Sequence, residues 1–192
     1  MTTVTETPKI QEERGKALVR IARESLAEAL GLGTMEAPDE PWLHEKGATF
    51  VTLTANGKLR GCMGSIRARR TLLEDVQANA RSAAFDDPRF LRVRPAEFVD
   101  LSVEVSLLSP PEPFEVESEE DALAHLRPGV DGVVLECGTA RSTFLPQVWE
   151  QLPDPRKFLA HLKVKAGLPA DFWSPEIRLS RYTVEKFKDD PK

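Results

Sequence analysis

Residues 48–65 read ATFVTLTANGKLRGCMGS. The β-branched and aromatic run Ala48–Thr54 predicts a strand, and Asn56-Gly57 is the strongest short signal for a tight hairpin turn. The chain should therefore return antiparallel from Lys58. This return places the segment Leu59–Ser65 on the second strand of the hairpin or just past it.

Helices and further strands are predicted on both sides of this hairpin. Thr7-Pro8 predicts a helix start and Gly31 its end, while Thr71–Glu74 predicts a capping box that opens a helix to about Phe85. The remaining predicted elements are a strand over 101–107, a helix over 118–126, a hairpin over 132–145, a helix over 154–167 and one last strand over 177–187. Hairpins separated by helices indicate an α+β fold with a mostly antiparallel sheet.

Composition places the 192-residue chain among globular proteins, with 41% hydrophobic and 30% charged residues. No apolar run approaches the roughly 20 residues that span a bilayer, so no membrane association is expected. The polar start of the chain does not resemble a secretory signal. Two cysteines, Cys62 and Cys137, cannot form a disulfide scaffold for a chain of this size. We therefore expect a soluble, cytoplasmic protein.

No metal or cofactor motif is present in the sequence. Neither Cys-x-x-Cys nor His-Glu-x-x-His occurs around the three histidines and two cysteines. The glycine pattern matches neither a Walker A loop nor the dinucleotide fingerprint. We therefore predict no metal and no cofactor.

Charge is unevenly spread along the chain. The net charge is −5, but the span 58–94 contains nine basic and four acidic residues, and eight of the nine are arginine. Such a span is either a solvated face with local salt bridges or a site for an anionic ligand. Nucleic-acid surfaces usually add aromatic side chains, and this span offers only Phe85 and Phe90. Nucleic-acid binding is therefore the weakest of the alternatives.

The segment Leu59–Ser65 is the best candidate functional site. Gly61 and Gly64 permit unusual backbone angles or the close approach of another group. Cys62 becomes a nucleophile if a nearby positive charge such as Arg60 favours the thiolate, although cysteine often only fills a core. A catalytic thiol also needs a base, and the sequence does not place a histidine beside Cys62.

Three further polar positions can be explained structurally as well as functionally. Glu104 falls on the polar side of its predicted strand and is either a solvated acid or an inward-facing carboxylate. Asp87-Pro88-Arg89 is most simply a turn with an aspartate cap. Lys165 lies near a predicted helix C-terminus, where its charge favourably meets the helix dipole.

The segment Leu59–Ser65 resembles the hallmark Leu-Arg-Gly-Cys-Ile-Gly-Thr of the AMMECR family, from which Met63 and Ser65 depart mildly. Bacterial and archaeal members are called AmmeMemoRadiSam system protein A. The resemblance extends from about residue 10 to 187. Its other matching segments are 50–53, 82–90, 103–113, 132–133, 143–149, 158–159 and 165–169. Where the family usually carries a second cysteine, this chain has Val164, so no two-thiol mechanism through that position is expected.

The resemblance implies a two-lobed α+β fold with the hallmark segment near the junction of the lobes. On this basis we expect residues 1–7 to be a disordered or extended tail, 8–188 a single AMMECR-type domain with two lobes, and 189–192 a second tail. The family has no established biochemical function. Its members occur beside, or fused to, Memo-like proteins and radical S-adenosylmethionine (SAM) proteins, which suggests service in a shared pathway.

Two hypotheses follow from these observations. In the first, the chain is an enzyme or enzyme component that binds a small anionic substrate in a crevice between its lobes, with Cys62 as nucleophile or redox thiol and Glu104 as orienting group or proton acceptor. The predicted ligand-binding residues are Arg60, Gly61, Gly64, Ser65, Asp87, Arg89 and Lys165. In the second, the chain is a non-catalytic adaptor that binds a peptide or a partner protein, such as a Memo-like or radical-SAM protein, through the same crevice.

Overall fold

The structure, a computed structural model, describes residues 8–189. The chain forms two compact units. The first contains the described residues up to Leu108 together with those from Glu185 onward, and the second contains Ser109–Val184. Each unit combines helices with an antiparallel sheet, which confirms the predicted α+β class. The predicted tail 1–7 and residues 190–192 lie outside the described part.

The first unit is built on a five-stranded sheet. Its strands run in the order β2-β1-β4-β9, and the short β3 pairs with β1. The elements are α1 (Pro8–Ala29), β1 (Lys46–Ala55), β2 (Lys58–Gly64), β3 (Arg70–Thr71), α2 (Leu72–Phe85), β4 (Leu101–Leu108) and β9 (Val184–Lys188). In this order β2 is an edge strand, with β1 as its neighbour.

Local signals explain how these elements begin and end. Asn56 and Gly57 both have positive φ, at 49° and 73°, and they join β1 to β2 in the two-residue turn that the sequence predicts. Thr71 and Glu74 form the predicted capping box at the start of α2. Gly31, with φ of 73°, follows the end of α1 as predicted, whereas the predicted cap Thr7 lies outside the described residues.

One face of this sheet carries the core of the first unit. Val51 and Leu53 on β1, with Val103 and Val105 on β4, are fully buried and pack with apolar residues of α1 and α2. Side chains alternate between the two faces of a strand. The residues between them, including Thr52, therefore lie on the opposite face, where the candidate site is found.

The second unit has its own sheet and its own core. The strands β5 (Glu112–Phe114), β6 (Gly132–Cys137), β7 (Ala140–Phe144) and β8 (Arg178–Tyr182) lie in the order β5-β8-β6-β7, and the helices are α3 (Glu119–His125) and α4 (Pro155–Lys165). Ser118 and Asp154 cap these two helices, as predicted. Trp149 stacks on Phe158 in the core, with ring centroids 3.7 Å apart.

One prediction about strands is wrong. The single last strand predicted over 177–187 is in fact two strands. β8 pairs with β6 in the sheet of the second unit, while β9 lies next to β4 in the sheet of the first unit. Thr183, the residue between β8 and β9, forms two hydrogen bonds with Ser109. The Ser109 N–H donates to the Thr183 carbonyl, and the Thr183 N–H donates to Ser109 Oγ. The proline-rich segment after β4 also forms the short strand β5, which tolerates Pro113 because it is an edge strand.

The end of the described chain is anchored to the first sheet. Asp189, the first residue of the predicted C-terminal tail, accepts a hydrogen bond from the Val103 N–H at 2.9 Å. Its carboxylate also pairs with Arg23 of α1 at 2.7 Å. Asp189 therefore extends the attachment of β9 to its neighbouring elements.

Candidate functional site around Cys62

The hallmark segment forms an edge strand in the structure. Leu59–Gly64 lies entirely within β2, and Ser65 follows directly. The register with β1 shifts between Leu53 and Thr54, so that Arg60 is an extra residue opposite this pair. Such a bulge re-aims the side chains next to it. The segment thus combines an exposed strand edge with a locally altered direction.

The two glycines of the segment are explained by close packing. A Cβ atom on Gly61 would fall on the carbonyl oxygen of Ala83 in α2, and one on Gly64 would fall on the ring of Phe50. Neither glycine has a positive φ. Their role is therefore to let a helix and an aromatic ring approach the strand, as in one of the two alternatives that the sequence left open.

Three side chains form a row across three strands. Thr52 on β1 is opposite Cys62 on β2 and also opposite Glu104 on β4. Directly opposite residues of antiparallel strands project from the same face of the sheet. The Thr52 hydroxyl donates to Cys62 Sγ at 3.3 Å, and all three residues are half-buried. The structure thus brings together the two residues that the sequence suggested as catalytic.

Asp87 and Arg89 lie at the outer edge of this row. The backbone N–H of Cys62 donates to Asp87 Oδ2 at 2.9 Å, and Arg89 donates from Nη2 to the same oxygen at 2.7 Å. Arg89 Nε donates to the other carboxylate oxygen at 2.9 Å, which completes a forked ion pair. The aspartate therefore joins the strand that carries the thiol to the guanidinium.

This arrangement sets the charges of both partners. Hydrogen bonds from Arg89, and then from the Cys62 and Arg89 backbones, hold the pKa of the buried Asp87 carboxyl well below its usual range. Hydrogen bonding to Asp87, and then the negative charge of that carboxylate, raise the pKa of Arg89. The Arg89 side chain is nevertheless 55% exposed. The guanidinium is thus paired with the Asp87 carboxylate, which separates it from the Cys62 backbone, and it is half exposed to solvent.

Arg60 has internal partners. Its Nε donates to Glu97 at 2.9 Å and its Nη1 to the carbonyl of Leu91 at 2.9 Å, and its side chain is only 16% exposed. Hydrogen bonding from Arg60, followed by that from the Arg94 backbone, lowers the pKa of Glu97 to about 2. These contacts anchor the segment after α2 to β2. Arg60 is thus less available to an anion than Arg89.

Ser65 belongs to a buried polar network that sequence reasoning missed. Asp75 on α2 is almost fully buried, and its carboxylate accepts hydrogen bonds from the hydroxyls of Ser65 and Thr49. Asn79 and Arg70 donate to the same carboxylate. The available signal was the spacing of Asp75 and Asn79, four residues apart on the otherwise apolar face of α2. This network fixes the end of β2 against the helix.

Known proteins are similar to this chain along most of its length. The AMMECR1 family model matches residues 19–187. This chain belongs to the AMMECR1 family. A protein from Methanothermobacter thermautotrophicus is 41% identical over 186 residues, which cover 94% of this chain and 97% of the relative. Protein MK0488 from Methanopyrus kandleri is 34% identical, with coverage of 95% and 91%.

A solved structure has the same fold as this AMMECR1 family member. The crystal structure of the uncharacterised protein PH0010 from Pyrococcus horikoshii superimposes with a TM-score of 0.80 at 37% sequence identity. The match covers 94% of this chain and 93% of the other. These relatives identify a family whose biochemical function is not established.

Lys165, the remaining predicted ligand-binding residue of this family member, lies in the second unit. Its Nζ donates to the carbonyl of Thr143 at 2.9 Å and lies 5.0 Å from the centre of the Phe144 ring. The second cysteine, Cys137, also belongs to this unit and is a free thiol. Lys165 thus has an explained position within its own unit.

The nine basic residues of the span 58–94 are partly neutralised in this family member. Five of them pair with carboxylates of residues 8–189, namely Arg60, Arg70, Arg81, Arg89 and Arg94. Local salt bridges, the first interpretation of this span, therefore account for more than half of its positive charge. The more exposed pairs among them, Arg81 with Glu28 and Arg94 with Glu97, contribute little to stability.

Within residues 8–189, no group of three or more histidine, cysteine or acidic side chains is placed to hold a metal ion. None of the helices described there is both long and apolar enough to cross a bilayer. A groove of 490 Å³ lies between α1 and residues 38–42, with Arg14 above the ring of Trp42, and it contains none of the predicted site residues. The chemistry-bearing groups are instead those around Cys62.

Proposed function

We propose that the first unit binds a small anionic ligand or substrate on the sheet face that carries Cys62. We further propose that the chain serves as an accessory component of a pathway shared with Memo-like and radical-SAM proteins. The observation that carries the ligand proposal is the Asp87 carboxylate oxygen shared by the Cys62 backbone N–H and the half-exposed Arg89 guanidinium. The pathway proposal rests on the occurrence of family members beside, or fused to, Memo-like and radical-SAM proteins.

Arg89 is suited to bind an anion because Asp87 holds only part of its guanidinium. Nε and one hydrogen of Nη2 donate to Asp87, which fixes the plane of the group. An arginine side chain has five N–H donors, and the side chain is half exposed. The donors that are left can therefore bind a carboxylate or phosphate without loss of the internal pair.

Cys62 would contact the bound ligand as a nucleophile or redox thiol. Its sulfur already accepts a hydrogen bond from Thr52. Glu104 is two strands away, roughly 10 Å between Cα atoms for two adjacent antiparallel pairs. It is therefore too far to take the proton from the thiol directly. Glu104 would act on the far end of a ligand that lies across Thr52.

Alkylation of the two free cysteines tests the anion site. Iodoacetate carries a carboxylate and iodoacetamide does not. An anion site beside a thiol should therefore raise the ratio of the alkylation rate by iodoacetate to the alkylation rate by iodoacetamide. We expect this ratio at Cys62 to exceed that at Cys137 several-fold, measured by peptide mass spectrometry. Arg89→Gln should remove the excess, whereas Arg92→Gln should leave it, because Arg92 is exposed and lies off the Asp87 pair. Equal ratios at the two cysteines would overturn the proposal.

A chemical role for Cys62 has a separate test. Cys62→Ser should abolish the contribution of this protein to the shared pathway in cells, with little change in the free energy of unfolding. Retention of full activity would show that the thiol has no chemical role.

The alternative function, a non-catalytic adaptor, is favoured by one observation. Leu91 is 88% exposed, and its carbonyl is held by Arg60. An exposed leucine on a fixed backbone suits a protein contact. Under this alternative, Leu91→Asp should abolish binding to a Memo-like protein of the same organism, and Leu32→Asp, which is also exposed, should not. Nucleic-acid binding is not proposed, because the chain carries a net charge of −5.

A further inference from the structure

The connection that follows α1 is held to the first unit at few points. Residues 31–40 contain no helix or strand, and eight of these ten residues are exposed. The two half-buried ones are Met35 and Pro38. Of these, Met35 packs against the core of the first unit. Met35 is therefore the main anchor of this segment between its two ends.

The Met35 sulfur is contacted by polar groups of two helices. The Gln77 side-chain amide on α2 donates to Sδ at 3.2 Å, and the hydroxyl of the buried Ser25 on α1 lies 3.1 Å from it. A thioether is only a weak acceptor. Met63, the other methionine of residues 8–189, is also half-buried, but its sulfur accepts no hydrogen bond from the residues of that range. Met35 thus joins the segment to both helices through one atom.

A thioether is also the group that a hydroperoxide converts to a sulfoxide. The sulfur attacks one oxygen of hydrogen peroxide, and the S–O bond forms as the O–O bond breaks. The departing hydroxide takes the proton of the transferred oxygen and leaves as water. Sulfur loses two electrons and the peroxide gains them. Because Met35 is half-buried and both of its chain neighbours are exposed, such a small reagent can reach it from solvent.

The oxidised side chain does not fit the position of the thioether. A donor must lie about 2.7–3.2 Å from the new oxygen, and the length of the S–O bond adds to this distance. Because Ser25 Oγ and Gln77 Nε2 are only 3.1 and 3.2 Å from Sδ, the sulfur must move away from both helices. The sulfoxide is also polar, which weakens the packing of Met35 against the core.

We propose that Met35 is a redox-sensitive anchor, whose oxidation by a hydroperoxide releases residues 31–40 from α1 and α2. The segment carries Pro38 and Glu40, which line the 490 Å³ groove that faces α1. Its release therefore displaces one wall of that groove. This inference does not depend on the ligand proposed for the sheet face around Cys62.

Cleavage by endoproteinase Glu-C after Glu36 tests the release. Glu36 is exposed and follows Met35, whereas Glu40 precedes Pro41 and is not cut. The protein is treated with hydrogen peroxide and then with dithiothreitol, which reverses disulfides and sulfenic acids, and the Met35 sulfoxide is measured by peptide mass spectrometry. We expect roughly fivefold faster cleavage after Glu36, as a loss of about 1 kcal/mol in local stability produces. Cleavage after Glu115, an exposed residue of the second unit, should not change.

Variants assign the effect to one sulfur. Met35→Leu keeps an apolar side chain without an oxidisable sulfur, so its cleavage should not respond to peroxide, whereas Met63→Leu should respond like the wild type. Methionine sulfoxide reductases A and B together should restore slow cleavage of the oxidised protein. The inference is overturned if Met35 stays unoxidised in the folded protein, or if its sulfoxide leaves cleavage after Glu36 unchanged. A response of Met35→Leu to peroxide would equally overturn it.

Discussion

Asp87 is the residue on which the geometry around Cys62 depends. Its pKa is lowered in the folded chain, whereas an aspartate in an unfolded chain has a pKa of about 3.9. Because the pKa of Asp87 is lower in the folded than in the unfolded chain, the ionised carboxylate stabilises the folded state at pH values above the unfolded pKa. This contribution is lost as the pH falls through the folded pKa. We expect Asp87→Asn to lower the free energy of unfolding by about 2 kcal/mol at pH 7, and this difference should shrink steadily below about pH 4.

Urea denaturation of both proteins at several pH values measures this difference. Asp86→Asn is the matched control, since Asp86 is exposed and directly precedes Asp87. Its effect on the free energy of unfolding should be small at every pH. A difference for Asp87→Asn that stays constant from neutral to acid pH would show that the ion pair with Arg89 does not depend on ionisation of the carboxyl.

Helix α2 and strand β2 meet at Gly61, where the strand has no side chain. A methyl group there would fall on the Ala83 carbonyl oxygen, a backbone atom that moves only with its helix. We expect Gly61→Ala to destabilise the protein by about 1–3 kcal/mol, which is typical of overpacking, as measured by urea denaturation. Gly33→Ala, a position with open space around it, should be neutral or slightly stabilising. Equal stability of the two variants would contradict this packing role.

The molecule as a whole has two separate hydrophobic cores, one in each unit. Leu162 is fully buried in the second, and truncating such a residue typically costs about 2–5 kcal/mol. We expect Leu162→Ala to reduce hydrogen-exchange protection of amides within 109–184 while those of β1, β4 and α2 stay protected. Val164→Ala, an exposed position on the same helix, is the control. A uniform loss of protection would show that both units unfold together.

Much of the fold follows from signals that act over a few residues. The Asn56-Gly57 turn, the Thr71 capping box and the Asp154-Pro155 helix start all lie where the sequence predicts them. Each depends on the backbone preferences of neighbouring residues, so no distant contact is needed. The α+β class and the family resemblance come from the same level of information.

The last strand shows where local signals end. An alternating pattern over 177–187 looks the same whether its halves pair with one sheet or with two, because the choice between β6 and β4 as partner is made by residues far along the chain. The same limit applies to Asp75, whose burial depends on Ser65, Thr49 and Arg70 coming together.

The sequence alone determined that Cys62 and Glu104 were candidates, and that glycines enclosed the thiol. Only the tertiary structure decided that both side chains share one row with Thr52, that Asp87 joins Arg89 to the Cys62 backbone, and that Arg60 pairs with Glu97. The physical reason is that strand register joins Thr52 to Cys62 and to Glu104, 10 and 52 positions apart, while side-chain contacts join Cys62 to Asp87 and Arg60 to Glu97, 25 and 37 positions apart. The residue types are therefore a property of the sequence, and their arrangement into a site is a property of the fold.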